Sequence, residues 1–365
     1  MIAAQYYYDI YLLIVTILSL FAISKYGLYS ADRLNDTFAE PIGPSLLLCI
    51  FMILFIGTRP ISGRYFVDME GTAAMWPLYD TGTFSFSWDV ENKLYDNLRY
   101  YMSTAGYPVE TFFVLIAAIY FSAMLGACRK FFPKDTLFAY LVFLAAFSTF
   151  SYSTNGIKAG SAASIFMLAL AYHDKPIVTI ILSLISWGFH HSMVMVVASY
   201  LIVYIYHKPK WFFVLWIFSV FIAAAHIGTF QSFFASMTDE RGESYLTSMV
   251  FEQGFRIDFI LYSAMPVLVG YYALYKKEIQ SRSYEIILCL YLMTNAIWML
   301  CMYSEASNRI AYLSWLQYPV VLIYPFLNEN WGTNQYSTVK KVAYGHLAFT
   351  LFMVFIYYGT LHLHH

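Results

Sequence analysis

Charge is what this sequence has least of. Only 12% of its 365 residues are Asp, Glu, Lys or Arg, and the formal net charge is −1. A soluble domain carries about 25% charged residues, so about half the usual charge is missing. A near-neutral balance also lacks the basic footprint of a nucleic-acid partner. Cysteine is scarce: Cys49, Cys128, Cys289 and Cys301 lie in or beside apolar runs, without CxxC spacing or a histidine at zinc spacing. They read as buried reduced thiols. No DxD-type metal motif, P-loop or G-x-S-x-G occurs, so neither a metal site nor a cofactor is expected. There is no internal repeat and no linker long enough to separate two domains. The start, "MIAAQYYYDIYLL", lacks a basic n-region and an A-x-A site, so the first apolar run reads as a retained helix.

What is present is apolar surface. Hydrophobic residues make up 60% of the chain and aromatics 20%, the composition of an integral membrane protein with ring-rich interfaces. A spanning helix needs about 20 mostly apolar residues. Candidate spans lie near 8–24, 44–59, 110–128, 136–153, 157–173, 176–190, 191–206, 211–229, 257–275, 284–303, 310–326 and 342–361. The expected fold is an all-α polytopic membrane protein with about 11–12 transmembrane helices in one integral domain, 1–365. Most of the 21 Lys and Arg residues fall in alternate gaps, from Lys25 and Arg33 through Arg129, Lys130 and Lys175 to Lys340 and Lys341. The positive-inside bias makes those gaps cytoplasmic and puts both termini outside.

The remaining gaps then face outward, and they hold cations that the bias disfavours. Two are long. The loop 59–110 contains "DVENKLYDNLRYYMSTAGYP", with Asp89 as expected N-cap and Gly106 then Pro108 as the stop. This predicts an interfacial helix near 89–105 with Leu94, Leu98, Tyr101 and Met102 on one face. The loop 230–256 is a candidate lid.

Several stretches carry candidate chemistry. In "GTRPISGRYFVDME", Arg59 ends the second span and Arg64, Asp68 and Glu70 follow. Guanidinium suits paired phosphate oxygens, but the group reads equally as an interfacial salt-bridge cluster. In "STNGIKAGSAAS", Lys158 sits in the first turn of a helix, against its dipole. A bound anion would relieve that conflict; a snorkelling lysine is the alternative. Gly160 there suits close helix packing. In "SWGFHHSMVM", His190 and His191 open the seventh span. One could accept a proton near neutral pH, or the pair could be a polar hinge. In "YSEASNRIAYLSWLQYP", Arg309 opens the eleventh span, with Glu305 four residues earlier as an ion partner or a base. Arg256 ends the second long loop. These groups come from separate helix ends on one side. Ionisable residues at membrane depth are functional candidates, and the excess of cations suits a diphosphate.

The ordered set resembles the EpsG-like branch of the Wzy polysaccharide polymerases. The resemblance rests on Arg59 then Asp68; on Glu91, Tyr95 and Leu98 before Gly106; on "NGIKAGSA"; on His190, His191 and Ser192; and on Arg309 with Tyr312. Lys158 stands where the family usually has Arg, and no Tyr follows Asp68 at the family's spacing. The resemblance implies a GT-C-like helical bundle in a bacterial inner membrane, with its active site facing the periplasm. It implies transfer of a growing glycan from polyprenyl diphosphate to a lipid-linked repeat unit, without a metal. Arg59, Lys158 and Arg309, with Arg64 and Arg256 nearby, would hold the diphosphate. The base would be His190 or His191, then Asp68, then Glu305. Membrane lipid and a chain-length regulator would be further partners. Rival readings are a ligase using the same donor, a flippase for the same lipid, and an acyltransferase using one of the histidines.

Overall fold

The computed structural model describes residues 2–27, 39–79, 81–82, 85–227, 254–304 and 307–361, apart from the side chains of residue 308 and residues 357–361. Among them every regular element is helical, beside one isolated bridge between Ser62 and Phe66. Every apolar run identified in the sequence is a helix or a pair of helices. Six segments are long and apolar enough to cross a membrane, and a bent pair, Thr136–Leu144 with Phe147–Thr154, is broken by 75° and is either a broken span or a re-entrant loop. Five further apolar helices are 10–17 residues long. At about 1.5 Å per residue, these fall short of an apolar core about 30 Å thick. The chain is an all-α, multi-pass membrane protein, built in part from short and broken helices.

Two compact units emerge: residues 1–193 with 332–365, and residues 194–331. In the first, α1 (Tyr7–Lys25), α2 (Gly43–Gly57), α5 (Val109–Phe131), α6 (Thr136–Leu144), α7 (Phe147–Thr154), α8 (Ile157–Ala171) and α9 (Pro176–Phe189) pack with the C-terminal helix Gln335–Leu361. The α5 helix lies against α2 and α8, and α8 against α9. Small residues set the closest approaches. A Cβ on Gly57 would stand 2.8 Å from the Val114 backbone, and one on Gly160 would collide with the Tyr152 carbonyl. This is the small-residue packing expected between membrane helices.

The loop 59–110 is folded. It contains α3 (Val67–Met75), a 3₁₀ turn at Trp76–Tyr79, and α4 (Lys93–Thr104). The helix expected near 89–105 is α4, but its start differs. Its N-cap is Asn92, and the Asn92 amide donates to Asp96 Oδ2 at 3.3 Å. Asp89 lies outside the helix, three residues before that N-cap. The stop falls where expected. Gly106 has φ +78°, with Tyr107 N–H donating to Met102 and Gly106 N–H to Ser103, a Schellman closure. The buried face is not the expected one: Tyr95 is 2% exposed and Tyr101 is 65% exposed. The Leu94 side chain packs where Gly188 leaves room for it. The expected lid at 230–256 lies, except for Gly254–Arg256, outside the described residues, as does Glu305.

In the second unit, helix Pro209–Ala224 packs against helix Arg282–Leu300. Helices Ile257–Tyr275 and Ser307–Trp315 complete a buried polar knot. Trp216 Nε1 donates to Asn295 Oδ1 at 2.8 Å. Asn295 Nδ2 donates to Ser263 Oγ at 3.0 Å and Ser314 Oγ at 2.9 Å. Trp315 Nε1 donates to Ser263 Oγ at 2.8 Å. One amide thus joins four helices, with its carbonyl and its NH2 group both engaged. Replacing Asn295 with Ala or Leu should destabilise this unit by about 1–3 kcal/mol, the cost of stranding buried donors. Unfolding in mixed detergent micelles would measure it; an unchanged midpoint would refute the knot's importance.

Candidate functional site

Arg59 follows directly on α2, where Pro60 turns the chain. Its side chain is 3% exposed. Nη1 donates to the Ile56 carbonyl at 2.6 Å, and Nη2 to the Thr154 carbonyl at 3.0 Å. One guanidinium thus caps two helix C-termini, those of α2 and α7, where the dipole favours a cation. Phe66 lies 5.2 Å from the guanidinium carbon. Burial pulls the arginine down to about 10, while Tyr7, Tyr95 and Asp68 act against that. It therefore stays charged at neutral pH. This differs from the expected open phosphate clamp. Both Nη atoms serve backbone carbonyls, and Nε is buried without a partner.

The turn held by Arg59 leads to the next candidate. Asn155 Nδ2 donates to the Tyr65 carbonyl at 3.1 Å, tying this turn to the loop after Arg59. Lys158, in the first turn of α8, lies half-buried with Nζ 5.6 Å from the Tyr95 ring centroid. The ring face offsets part of the conflict between this cation and the helix N-terminus. Tyr95 itself meets Phe112 and Phe189 edge-on at 5.4 and 6.3 Å. Burial raises its hydroxyl above the usual tyrosine range, while Arg99 pulls it down and Asp68 adds to the rise. Asp68, half-buried on α3, acts on both Arg59 and Tyr95. Arg64 is exposed beside Tyr65, and Glu70 folds against Gly63, where any side chain would collide with it.

The histidines occupy the turn after α9, rather than the first turn of the next helix. Their rings stack at 4.8 Å and 22°. They make different bonds. The Ser192 N–H donates to His190 Nδ1 at 3.2 Å, and Ser192 Oγ lies 2.7 Å from the same nitrogen. A neutral His190 accepting at Nδ1 carries its hydrogen on Nε2. His191 Nδ1 stands 2.9 Å from Glu91 Oε1. Its backbone N–H donates to Asn92 Oδ1 at 3.1 Å. The N-cap side chain of α4 thus bridges the two elements: its Oδ1 holds the histidine turn, while its Nδ2 donates to Asp96 of its own helix at 3.4 Å.

Arg59, Asp68, Lys158, His190 and His191 thus gather around α4 in the first unit. Arg256 and Arg309 belong to the second unit. Arg256 is held in two-point contact by Asp258, at 3.0 and 2.7 Å, and covers the Phe259 ring. Arg309 is exposed at the start of helix Ser307–Trp315. Among the described residues no cluster of His, Cys, Asp or Glu could hold a metal ion. Sequence reasoning missed Asn92 and the Glu91 contact. The only signals were the proximity of Asn92 to a helix start and Glu91's place in the family-like segment.

A family model described as the EpsG family matches residues 44–363. The chain belongs to that family. No curated protein and no solved structure matches it significantly.

Arg59→Lys keeps the charge but cannot reach both helix ends. It should lower stability by about 1–3 kcal/mol, with Arg59→Ala worse. Thermal unfolding of the purified protein would show this, and equal melting of Arg59→Lys and the parent would overturn the capping role.

Proposed function

We propose that this member of the EpsG family is a polysaccharide polymerase of the bacterial inner membrane. It transfers a growing glycan from polyprenyl diphosphate to the terminal sugar of a lipid-linked repeat unit, at the periplasmic face. Family membership supports the class. The observation that carries the mechanism is the 2.9 Å contact between Glu91 and His191.

A neutral His191 that donates Nδ1–H to the Glu91 carboxylate presents Nε2 as its acceptor. Nε2 takes the proton of the acceptor hydroxyl as that oxygen bonds to the anomeric carbon. The bond from that carbon to the diphosphate oxygen breaks, and its electron pair leaves with polyprenyl diphosphate. The resulting imidazolium is stabilised by Glu91. His190, with hydrogen on Nε2, serves as a donor to the sugars rather than as the base. Lys158 contacts the departing diphosphate, and the buried Arg59 charge adds a fixed favourable field. Asp68 is the second choice of base; its position beside Arg59 suits holding that charge in place.

Purified protein given one lipid-linked repeat unit should produce a ladder of products. A single transfer to a different acceptor would indicate a ligase, and no transfer would refute the proposal. His191→Gln and Glu91→Gln should each lower turnover by about 10²–10⁴-fold, the usual share of general base catalysis. His190→Gln should cost less. Wild-type turnover in His191→Gln would eliminate His191 as the base. Lys158→Arg should remain active, since the guanidinium keeps the charge and adds donors; inactivity would count against a diphosphate at this position.

A further inference from the structure

The break between α6 and α7 has no local cause in the sequence. The residues at the bend are Leu144, Ala145, Ala146 and Phe147, with neither Pro nor Gly. Sharp kinks ordinarily need one of those, or an inserted side chain. Here the cause is inserted side chains. The Ala146 N–H donates to Phe143 at 3.0 Å, one residue short of the α-helical partner Val142. His346, 4% exposed on helix Gln335–Leu361, places Nε2 3.0 Å from the Val142 carbonyl. A carbonyl can only accept, so His346 carries its hydrogen on Nε2. Tyr11, from α1, donates its hydroxyl to the Leu144 carbonyl at 2.7 Å. Thr149 Oγ1 donates to Phe143 at 2.7 Å. Three carbonyls at the break are thus met by side chains, two of them from other helices.

The far end of α7 is the Thr154 carbonyl that Arg59 caps. The turn carrying Asn155 and Lys158 follows at once. With 8 residues, α7 is a short rod, about 12 Å long, so a 10° change at the break would swing the turn by about 2 Å. Displacements near 1 Å can cost about 10²-fold in rate.

We propose that His346 is a positioning residue. Together with Tyr11 it fixes the angle at which α7 delivers the Asn155–Lys158 turn to the site. The consequence for catalysis rests on the polymerase reading; the placement of the turn does not.

The test uses the full chain in lipid nanodiscs, with Ala159→Cys as a reporter at the start of α8. His346→Leu, His346→Gln and Tyr11→Phe are compared for maleimide labelling rate and for KM and kcat with a lipid-linked repeat unit. His346→Leu should change labelling by about tenfold and raise KM by about tenfold or more, as a misplaced binding turn requires. His346→Gln, which keeps an N–H donor, should label and bind within about twofold of the parent. Tyr11→Phe should shift both readouts in the same direction as His346→Leu. It also decides the matter alone if the leucine variant fails to reach the membrane. Unchanged labelling in both His346→Leu and Tyr11→Phe would overturn the inference, as would His346→Gln behaving like His346→Leu. A parent protein that makes no polymer, with labelling still altered by His346→Leu, would sink the polymerase reading and leave the positioning role standing.

Discussion

A helix that stops within a membrane protein leaves carbonyl oxygens without amide partners, and lipid supplies no donor to replace them. The architecture of the first unit is organised by that constraint. At three of its helix ends or breaks, carbonyls are met by side chains, several of them from distant parts of the chain. Arg59 does this for two helices at once, bonding Ile56 and Thr154. His346 and Tyr11 do it for the break in the α6–α7 pair. The helix ends are therefore held in place by long-range contacts, and the turns they carry are placed as accurately as the helices themselves.

This changes how the cations are understood. A buried arginine with two backbone partners is a structural cap first, and its charge is then available only as a field. Lys158, beside it in the same unit, is only half-buried. Between them sits Tyr95, whose ring lies under Lys158 and whose hydroxyl is raised by burial. The histidine turn joins the same assembly through Asn92 and Glu91. The start of α4 and the histidine turn are linked, because the residue that begins the helix also holds the His191 backbone.

The second unit solves a related problem differently. Asn295 is fully buried among apolar helices, which would be costly if any of its polar atoms lacked a partner. Instead it engages Trp216, Ser263 and Ser314. Hydrogen bonds between helices substitute there for the hydrophobic drive, which is weak between helices already surrounded by lipid.

Membrane residence, helical class, the approximate helix list and the family were all legible in the sequence. Each depends on local quantities: apolar run length, charge scarcity, and short motifs in order. The stop of α4 at Gly106 was legible too, since a left-handed turn there needs only the glycine. Other features were not. Asp89 looks as good an N-cap as Asn92, and nothing in the sequence shows that the asparagine oxygen serves the His191 backbone 99 residues away. Nothing near Arg59 in sequence shows that it also caps Thr154, 95 residues away. His346 shows nothing in sequence, because the carbonyl it serves is freed by a break that no nearby residue predicts. Sequence by itself determined which segments are helices and what solvent they live in. Only the tertiary structure decided which polar side chains close helix ends and which remain to do chemistry, because a hydrogen bond is satisfied by nearness in space and not along the chain.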